Sequence, residues 1–392
     1  MSTSNSSATT RLGTLVAVAA LISVSAACSS DSDTSTSAPT KLGTTEGRVS
    51  ILAWPGYVEN GSNDPKVNWV SGFEKQTGCK VTSKTYGTSD EAFNLAKSGS
   101  YDVVVASGDL TARMVASKQA APVNTGLVPN YAKIFDFLKN REWNTFDGKS
   151  YGIPHGYGAN LLMYNEEKVS PAPTSWSSVF DGASKYKGKV TAYDSPIYIA
   201  DAALYLMKTK PELGIKNPYA LDDKQFAATV DLLKSQRSNV GEYWSDYLKE
   251  VSAFETGDSV IGTTWQVIVN SITKAKVKAI VPTEGATGWS DTWMVSSRAK
   301  NINCAYAWLD YISSPKVNAQ ATEYFGEAPS SQEACQFASD PNFCSTYRAG
   351  DKEFAEKLWY WRTPVAKCVD GRTDVTCADY SKWAKAWTEI KG

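Results

Sequence analysis

Histidine is almost missing from this chain: there is one, His155, among 392 residues. A single imidazole excludes multi-histidine metal centres and histidine-pair proton relays. His155 also lies in neither a Gly-x-Ser-x-Gly elbow nor an evident triad. Net charge is nearly nil, with 40 Lys+Arg against 41 Asp+Glu giving −1, which argues against a surface that coats nucleic acid or an anionic membrane. No Gly-x-x-x-x-Gly-Lys phosphate loop occurs, and no repeat of solenoid length. The one long apolar stretch, Leu12 to Ala27, is shorter than the roughly 20 residues of a spanning helix. Flat side chains, by contrast, are plentiful, with 13 Trp, 20 Tyr and 12 Phe. The length exceeds what one core usually serves and predicts two lobes.

The N-terminus reads as an address. A polar start from Met1 to Arg11, the apolar stretch and small residues before Cys28 describe a secretory signal over residues 1–27. The ending Ser25-Ala26-Ala27-Cys28 resembles the bacterial lipobox, whose cysteine is lipidated after cleavage, although Ser25 stands where leucine is commonest. From Ser29 to about Gly47 the chain is mostly Ser, Thr, Asp and Ala, too poor in apolar surface to order itself. Residues 28–47 are therefore expected to be a lipidated cysteine and flexible tether, holding an exported domain at the outer face of a bacterial membrane. The remaining six cysteines suit an oxidising compartment and up to three disulfides. Spacing favours local loops Cys335–Cys344 and Cys368–Cys377, leaving Cys79 with Cys304. Paired Cys-x-x-Cys motifs are missing, so neither zinc nor another cofactor is expected.

The body alternates strand and helix. Arg48 to Trp54 reads as a buried strand, Lys66 to Thr77 as an amphipathic helix with Gly78 at its C-cap, and Lys80 to Tyr86 as a second strand. A helix from Ser89, a strand Tyr101 to Ala106 and a helix from about Leu110 complete an α/β lobe with a largely parallel sheet. Gly152, Pro154, Gly156 and Gly158 mark a crossing or bend. A second series follows, with strands at Leu161–Tyr164, Lys189–Tyr193, Val260–Trp265 and Lys278–Pro282, and helices near 198–208 and 224–235. Gly288 to Ser296 is strand-like again, before a helix at 303–312 with Asn303 as its N-cap. The expected division is 48–155 with 288–330 for the first lobe, and 156–287 with 331–392 for the second and a C-terminal segment.

Ligands of open α/β sheets sit beyond the carboxyl ends of the strands. Those ends carry Trp54 and Tyr57, Ser107 and Asp109, Tyr193 and Asp194, and Trp265, with Trp289 and Asp291 where the chain returns. Rings attract a cation and carboxylates fix it, so a cleft so lined suits an amine. Bland roles compete: Asp109 as a cap of the following helix, Asp194 as a helix-start residue, and any one tryptophan as core.

From Arg48 to Ala328 the chain resembles the extracellular solute-binding proteins of ABC importers, in particular the spermidine/putrescine-binding branch. The resemblance rests on ordered motifs: Trp54-Pro-Gly-Tyr57, Tyr101-Asp-Val-Val-Val-Ala-Ser107, Gly152-Ile-Pro154, Gly262-Thr-Thr-Trp265 and Gly288-Trp-Ser-Asp291. It implies a two-lobed α/β fold of the type II periplasmic-binding-protein kind, lobes joined by crossing strands that close over ligand. It also implies an amine held in an aromatic box with carboxylates at its ends. Carried over by motif, the box comprises Trp54, Tyr57, Ser107, Asp194, Trp265, Trp289 and Asp291, with Asp109, Tyr157, Tyr198 and Glu327 near expected cleft positions. Two departures stand out. Ile197 replaces a second carboxylate of the spermidine binders, and Asp109 stands where they have tyrosine.

Charge matching then favours a diamine such as putrescine, each end needing an anionic partner. A zwitterion such as 4-aminobutyrate would need a cationic host, for which Arg362 is a candidate. Expected partners are a small cationic amine, ABC permease subunits and the membrane through the lipid, with no nucleic acid and a monomeric state. The rival class is a secreted enzyme, such as a glycosidase using two carboxylates.

Overall fold

The computed structural model describes residues 37–392. The predicted signal peptide, the lipobox cysteine and the first part of the tether lie outside the described residues. The rest of the tether is corrected by what it touches. Pro39 O accepts from Asn124 Nδ2 at 3.0 Å, and Gly43 N donates to Asn303 Oδ1 at 2.6 Å. Glu46 accepts from the backbone amides of Asn303 and Cys304, each at 2.9 Å. Its carboxylate thus caps the helix Ile302–Ile312, the role expected of Asn303, because unpaired first-turn amides attract an anion.

Two sheets organise the chain. The larger runs Ala328–Pro329, Ile153–Ala159, Thr287–Ser296, Val103–Ala106, Arg48–Ala53 and Lys80–Thr85 in spatial order. Two short strands, Ala120–Ala121 and Trp359–Tyr360, also pair with Thr287–Ser296. Arg48–Ala53 is parallel to both neighbours, while Thr287–Ser296 runs antiparallel to Val103–Ala106 and Ile153–Ala159. Val103–Ala106 and Thr287–Ser296 are buried at every position, as strands covered on both faces must be. The smaller sheet runs Val240–Trp244, Val190–Tyr193, Ile261–Thr264, Leu161–Asn165 and Val277–Ile280.

The chain passes from the larger sheet to the smaller at Asn160 and returns between Ile280 and Thr287. At this crossing Asn160 N donates to Thr287 O at 2.9 Å. Strand Ile153–Ala159 belongs whole to the larger sheet, and Trp359–Tyr360 comes back to it from the C-terminal segment. The C-terminal helix Tyr380–Lys391, which no sequence pattern announced, buries Trp383, Trp387 and Ile390 against the smaller-sheet lobe. It also reaches the other lobe, where the Tyr380 hydroxyl donates to Asp90 Oδ1 at 3.0 Å.

The glycines at 152, 156 and 158 serve close approach rather than a bend. A Cβ at Gly156 would sit 2.4 Å from Glu327 Cδ, one at Gly158 2.3 Å from Trp289 Cζ2, and one at Gly152 2.4 Å from Thr292 Cγ2. The helix expected from Lys66 starts at Val70, because Asp64 and Asn68 take local turns first: Asp64 Oδ1 accepts from Lys66 N at 2.9 Å and Asn68 Oδ1 from Ser71 N at 3.0 Å. Gly78 closes it with φ 74°, in the left-handed region a glycine C-cap adopts.

Three disulfides form: Cys79–Cys304, Cys335–Cys344 and Cys368–Cys377. The first joins the start of strand Lys80–Thr85 to helix Ile302–Ile312, across a sequence separation of 225. No described helix is long and apolar enough to cross a membrane.

Candidate functional site

Strand ends from both sheets converge. Ala53 and Ala106 end adjacent parallel strands, so Trp54 and Ser107 emerge side by side. Ser107 occupies the N-cap position of helix Gly108–Ala116, yet its hydroxyl makes no capping bond. It turns instead to Asp291 Oδ1. The Tyr57 hydroxyl lies 2.8 Å from Asp291 Oδ2 and 2.8 Å from Glu327 Oε1. Trp289 Nε1 donates to Glu327 Oε2 at 3.2 Å. Asp109, Asp291 and Glu327 are only 1%, 2% and 1% exposed, so their charges face one another across little water.

Burial sets the acid strengths. It raises Asp291 above the carboxylate range, against the hydrogen bonds from Ser107, Tyr57 and Trp54 that favour its charge. Burial pushes Glu327 well above that range, and the neighbouring Asp291 charge pushes it further. Asp109 is raised to about 6, again by burial, with the Ser89 hydroxyl and the Arg113 guanidinium offsetting part of the shift. No donor meets the Asp109 carboxylate in good hydrogen-bonding geometry. It does not cap its helix; it sits in the first turn, where the helix dipole favours a negative charge.

The smaller sheet supplies rings. Tyr193 ends its strand and Trp265 follows Ile261–Thr264. Trp265 lies 5.0 Å from Trp289, 4.9 Å from Trp244 and 5.2 Å from Tyr193, measured between ring centres. Tyr193 stacks on Trp361 at 5.7 Å and 11°, and Trp361 lies 5.9 Å from Trp289. From the larger sheet Trp54 meets Tyr86 at 4.4 Å. The charges of Asp109 and Asp291 both act on the Tyr193 hydroxyl, which places these rings and acids in one neighbourhood.

The structure thus brings together Trp54, Tyr57, Ser107, Asp109, Trp265, Trp289, Asp291 and Glu327. Asp194 and Tyr198 lie elsewhere, and Tyr157, which lines a cavity together with Trp289 and Glu327, turns its hydroxyl to backbone. Asp194 accepts from Trp387 Nε1 at 3.0 Å and from Lys391 Nζ at 2.7 Å, so the C-terminal helix neutralises it, and Ser195 makes the helix-start contact instead. Tyr198 lies in the second lobe's core, its hydroxyl taken by Gln236 at 3.0 Å. The Tyr157 hydroxyl holds the backbone of Arg348 and Gly350 at 3.2 and 2.9 Å. Tyr86, Trp244 and Trp361 join the ring set without having been singled out, and Tyr193 joins it from the strand end expected of it. Trp361 follows a two-residue strand, which leaves no periodic signal; its backbone N donates to Gly288 O at 2.7 Å.

No Lys or Arg among the described residues lies within ion-pair reach of Asp109, Asp291 or Glu327; the only such neighbour is His155, Nε2 to Glu327 Oε1 at 3.7 Å. Burial lowers His155 to about 3, which leaves it neutral. Nor do the described residues place three acidic, histidine or cysteine groups to hold one metal ion. Arg362, the candidate host for a carboxylate, pairs with Glu142. Arg113, whose charge acts on Asp109, is paired with Asp90 at 2.7 Å and sandwiched by Phe93 and Tyr380 at 4.3 and 4.1 Å.

Two α/β lobes joined by crossing strands, with rings and buried acids at the strand ends between them, define a solute receptor of the type II periplasmic-binding-protein fold. The chain belongs to the bacterial extracellular solute-binding protein family, which it matches over residues 68–344. It is a binding protein of that family and not an enzyme. It is 27% identical over 286 residues to a putrescine-binding periplasmic protein of Pseudomonas aeruginosa, covering 68% of this chain and 76% of that one. A solved spermidine/putrescine ABC transporter substrate-binding protein of Streptococcus pneumoniae superposes with a TM-score of 0.65 at 20% identity, over 88% of this chain and 97% of that one. A solved GABA receptor superposes with a TM-score of 0.60 at 19% identity, over 88% and 95%. These two likenesses speak to the fold.

Proposed function

We propose that the protein is a lipid-anchored, monomeric receptor of an ABC importer. It captures a small diamine of the putrescine kind at the outer face of the membrane and hands it to the permease. One observation carries the choice of ligand: Asp109, Asp291 and Glu327 are buried among indole and phenol rings without a Lys or Arg partner. A buried carboxylate without a cation is costly, and a ligand ammonium is the group that would relieve it. In this reading Asp291 pairs with one ammonium and Asp109 with the other, while Trp54, Trp265, Trp289 and Trp361 cover the carbon chain. The putrescine-binding relative supports the same ligand class.

Amino-acid-like amines such as 4-aminobutyrate are the second reading, favoured by the GABA receptor of like fold. The engaged state of Arg362 and Arg113 weighs against it, since a zwitterion's carboxylate would need one of them free. A thermal-shift screen of putrescine, spermidine, 4-aminobutyrate and basic amino acids separates the two. The account expects the largest rise with putrescine, by mass action on the folded state. A larger rise with 4-aminobutyrate would favour the second reading.

A further inference from the structure

The Tyr57 hydroxyl has one proton and two carboxyl neighbours, each at 2.8 Å. A phenol donates to one oxygen and accepts from another; it cannot donate to both. If Asp291 and Glu327 were both ionised, one of these contacts would press two lone pairs together in a buried place. The pair therefore holds a proton, and the donors around it say where. Asp291 receives Ser107, Tyr57 and Trp54, three groups that stabilise an anion. Glu327 receives Trp289 Nε1 on Oε2 alone, which suits the carbonyl oxygen of a neutral acid whose Oε1 hydroxyl donates to Tyr57. The protons then run in one direction, from Glu327 to Tyr57 to Asp291.

We propose that Tyr57 holds Glu327 as a neutral acid, so that the cleft offers a ligand two carboxylates, Asp291 and Asp109, and selects a dication over a trication. This rests on the amine-receptor reading above and sharpens it. The groups facing Glu327 come from every element packed on it. Tyr57 approaches from the loop after the first strand, His155 from Ile153–Ala159, Trp289 and Asp291 from Thr287–Ser296, and Tyr347 from the segment beyond residue 340. His155 is too distant to share a proton with it, at 3.7 Å. Arg348, which lines the same cavity, is committed to Asp351 at 2.5 Å. That cavity, about 210 Å³, is walled by Glu327, Trp289, Tyr157 and Tyr347.

The test is calorimetric titration of the full protein with putrescine and spermidine at pH 7.5, in two buffers of different ionisation enthalpy. Wild type, Glu327→Gln and Asp291→Asn are compared, with melting curves confirming that each variant is folded. Glutamine keeps a donor toward Tyr57 and an acceptor toward Trp289. Glu327→Gln is expected to weaken putrescine by less than about tenfold, against more than about thirtyfold for Asp291→Asn. In the wild type, putrescine should bind without net proton release, and spermidine should bind more weakly with release of close to one proton. If Glu327→Gln costs as much as Asp291→Asn, or if putrescine binding to wild type itself expels a proton, the assignment of Glu327 is overturned while the amine reading stands. The proton count on the wild type decides the matter even if the variant fails to fold. A wild type that binds neither amine overturns the amine reading and this assignment with it.

Discussion

Trp265 Nε1 donates to Asn160 Oδ1 at 2.9 Å, fastening a ring of the cleft to the residue at which the chain first passes between the sheets. Asn160 is itself held by Asp201 and by Thr287 on the returning strand; its Nδ2 lies 2.8 Å from Thr287 Oγ1 and 3.2 Å from Asp201 Oδ1. Thr287 Oγ1 donates to Asp201 Oδ1 at 2.7 Å. Ring position and crossing geometry are therefore one network.

Asn160→Ala removes its centre. Trp265 loses its acceptor and Asp201 keeps Thr287 alone, so folding stability should fall by about 1–3 kcal/mol. Putrescine affinity should fall further than the melting temperature alone would suggest, because a freed indole must be re-ordered on binding. Melting curves and calorimetry on the same preparation check this; an unchanged affinity would show that Trp265 is positioned by its ring neighbours only.

Gly158→Ala puts a methyl 2.3 Å from Trp289 Cζ2, closer than any real contact. The indole must move, at an overpacking cost of roughly 1–3 kcal/mol. Tryptophan emission should shift and the putrescine response should shrink. Wild-type emission and binding would mean that the crossing strand yields instead of the ring.

Much of the fold was legible because strand and helix alternate with clear breaks, and because buried runs such as Val103–Ala106 lack polar positions. The rule that sites lie beyond strand ends pointed to Trp54, Ser107 and Trp265, which the structure does place at strand ends in the candidate site. It failed where the deciding partner is remote. Asp194 has the right strand-end place, but Lys391 neutralises it from 197 positions away. Tyr198 opens a helix whose inner side is core, a distinction that residue type alone does not make. Trp361 gains its place through a two-residue strand paired with Thr287 and Gly288, a contact no local pattern encodes. The glycines were visible as a cluster, yet their meaning, space for Glu327 and Trp289, needed the neighbours.

The buried acids fix a pH response. Asp109 is raised to about 6 and Asp201 to about 7, both chiefly by burial, from unfolded values near 3.9. A raised acid binds its proton more tightly in the folded state, so its stabilising contribution is whole below about pH 4 and is lost as pH climbs through about 6 to 7. The ligand-free protein should accordingly melt lower at pH 8 than at pH 5. Putrescine should raise the melting temperature more at pH 8, where Asp109 is ionised and meets an ammonium. Asp109→Asn should reduce both effects, which melting curves across this range would measure.

Reduction should act unevenly. In the chain-entropy account the Cys79–Cys304 link, spanning 225 positions, contributes about 5 kcal/mol, against roughly 2.6 for either link spanning nine. Replacing Cys79 and Cys304 together by alanine should lower the denaturant midpoint more than replacing Cys335 and Cys344. Equal losses would place the effect in native packing instead.

The most direct test is a calorimetric titration of the purified protein with putrescine and with 4-aminobutyrate, repeated on Asp291→Asn. The account predicts that putrescine binds in preference, and that the substitution costs roughly 2–5 kcal/mol of binding by removing the ammonium's buried partner. Preference for 4-aminobutyrate, or putrescine binding untouched by Asp291→Asn, would contradict it.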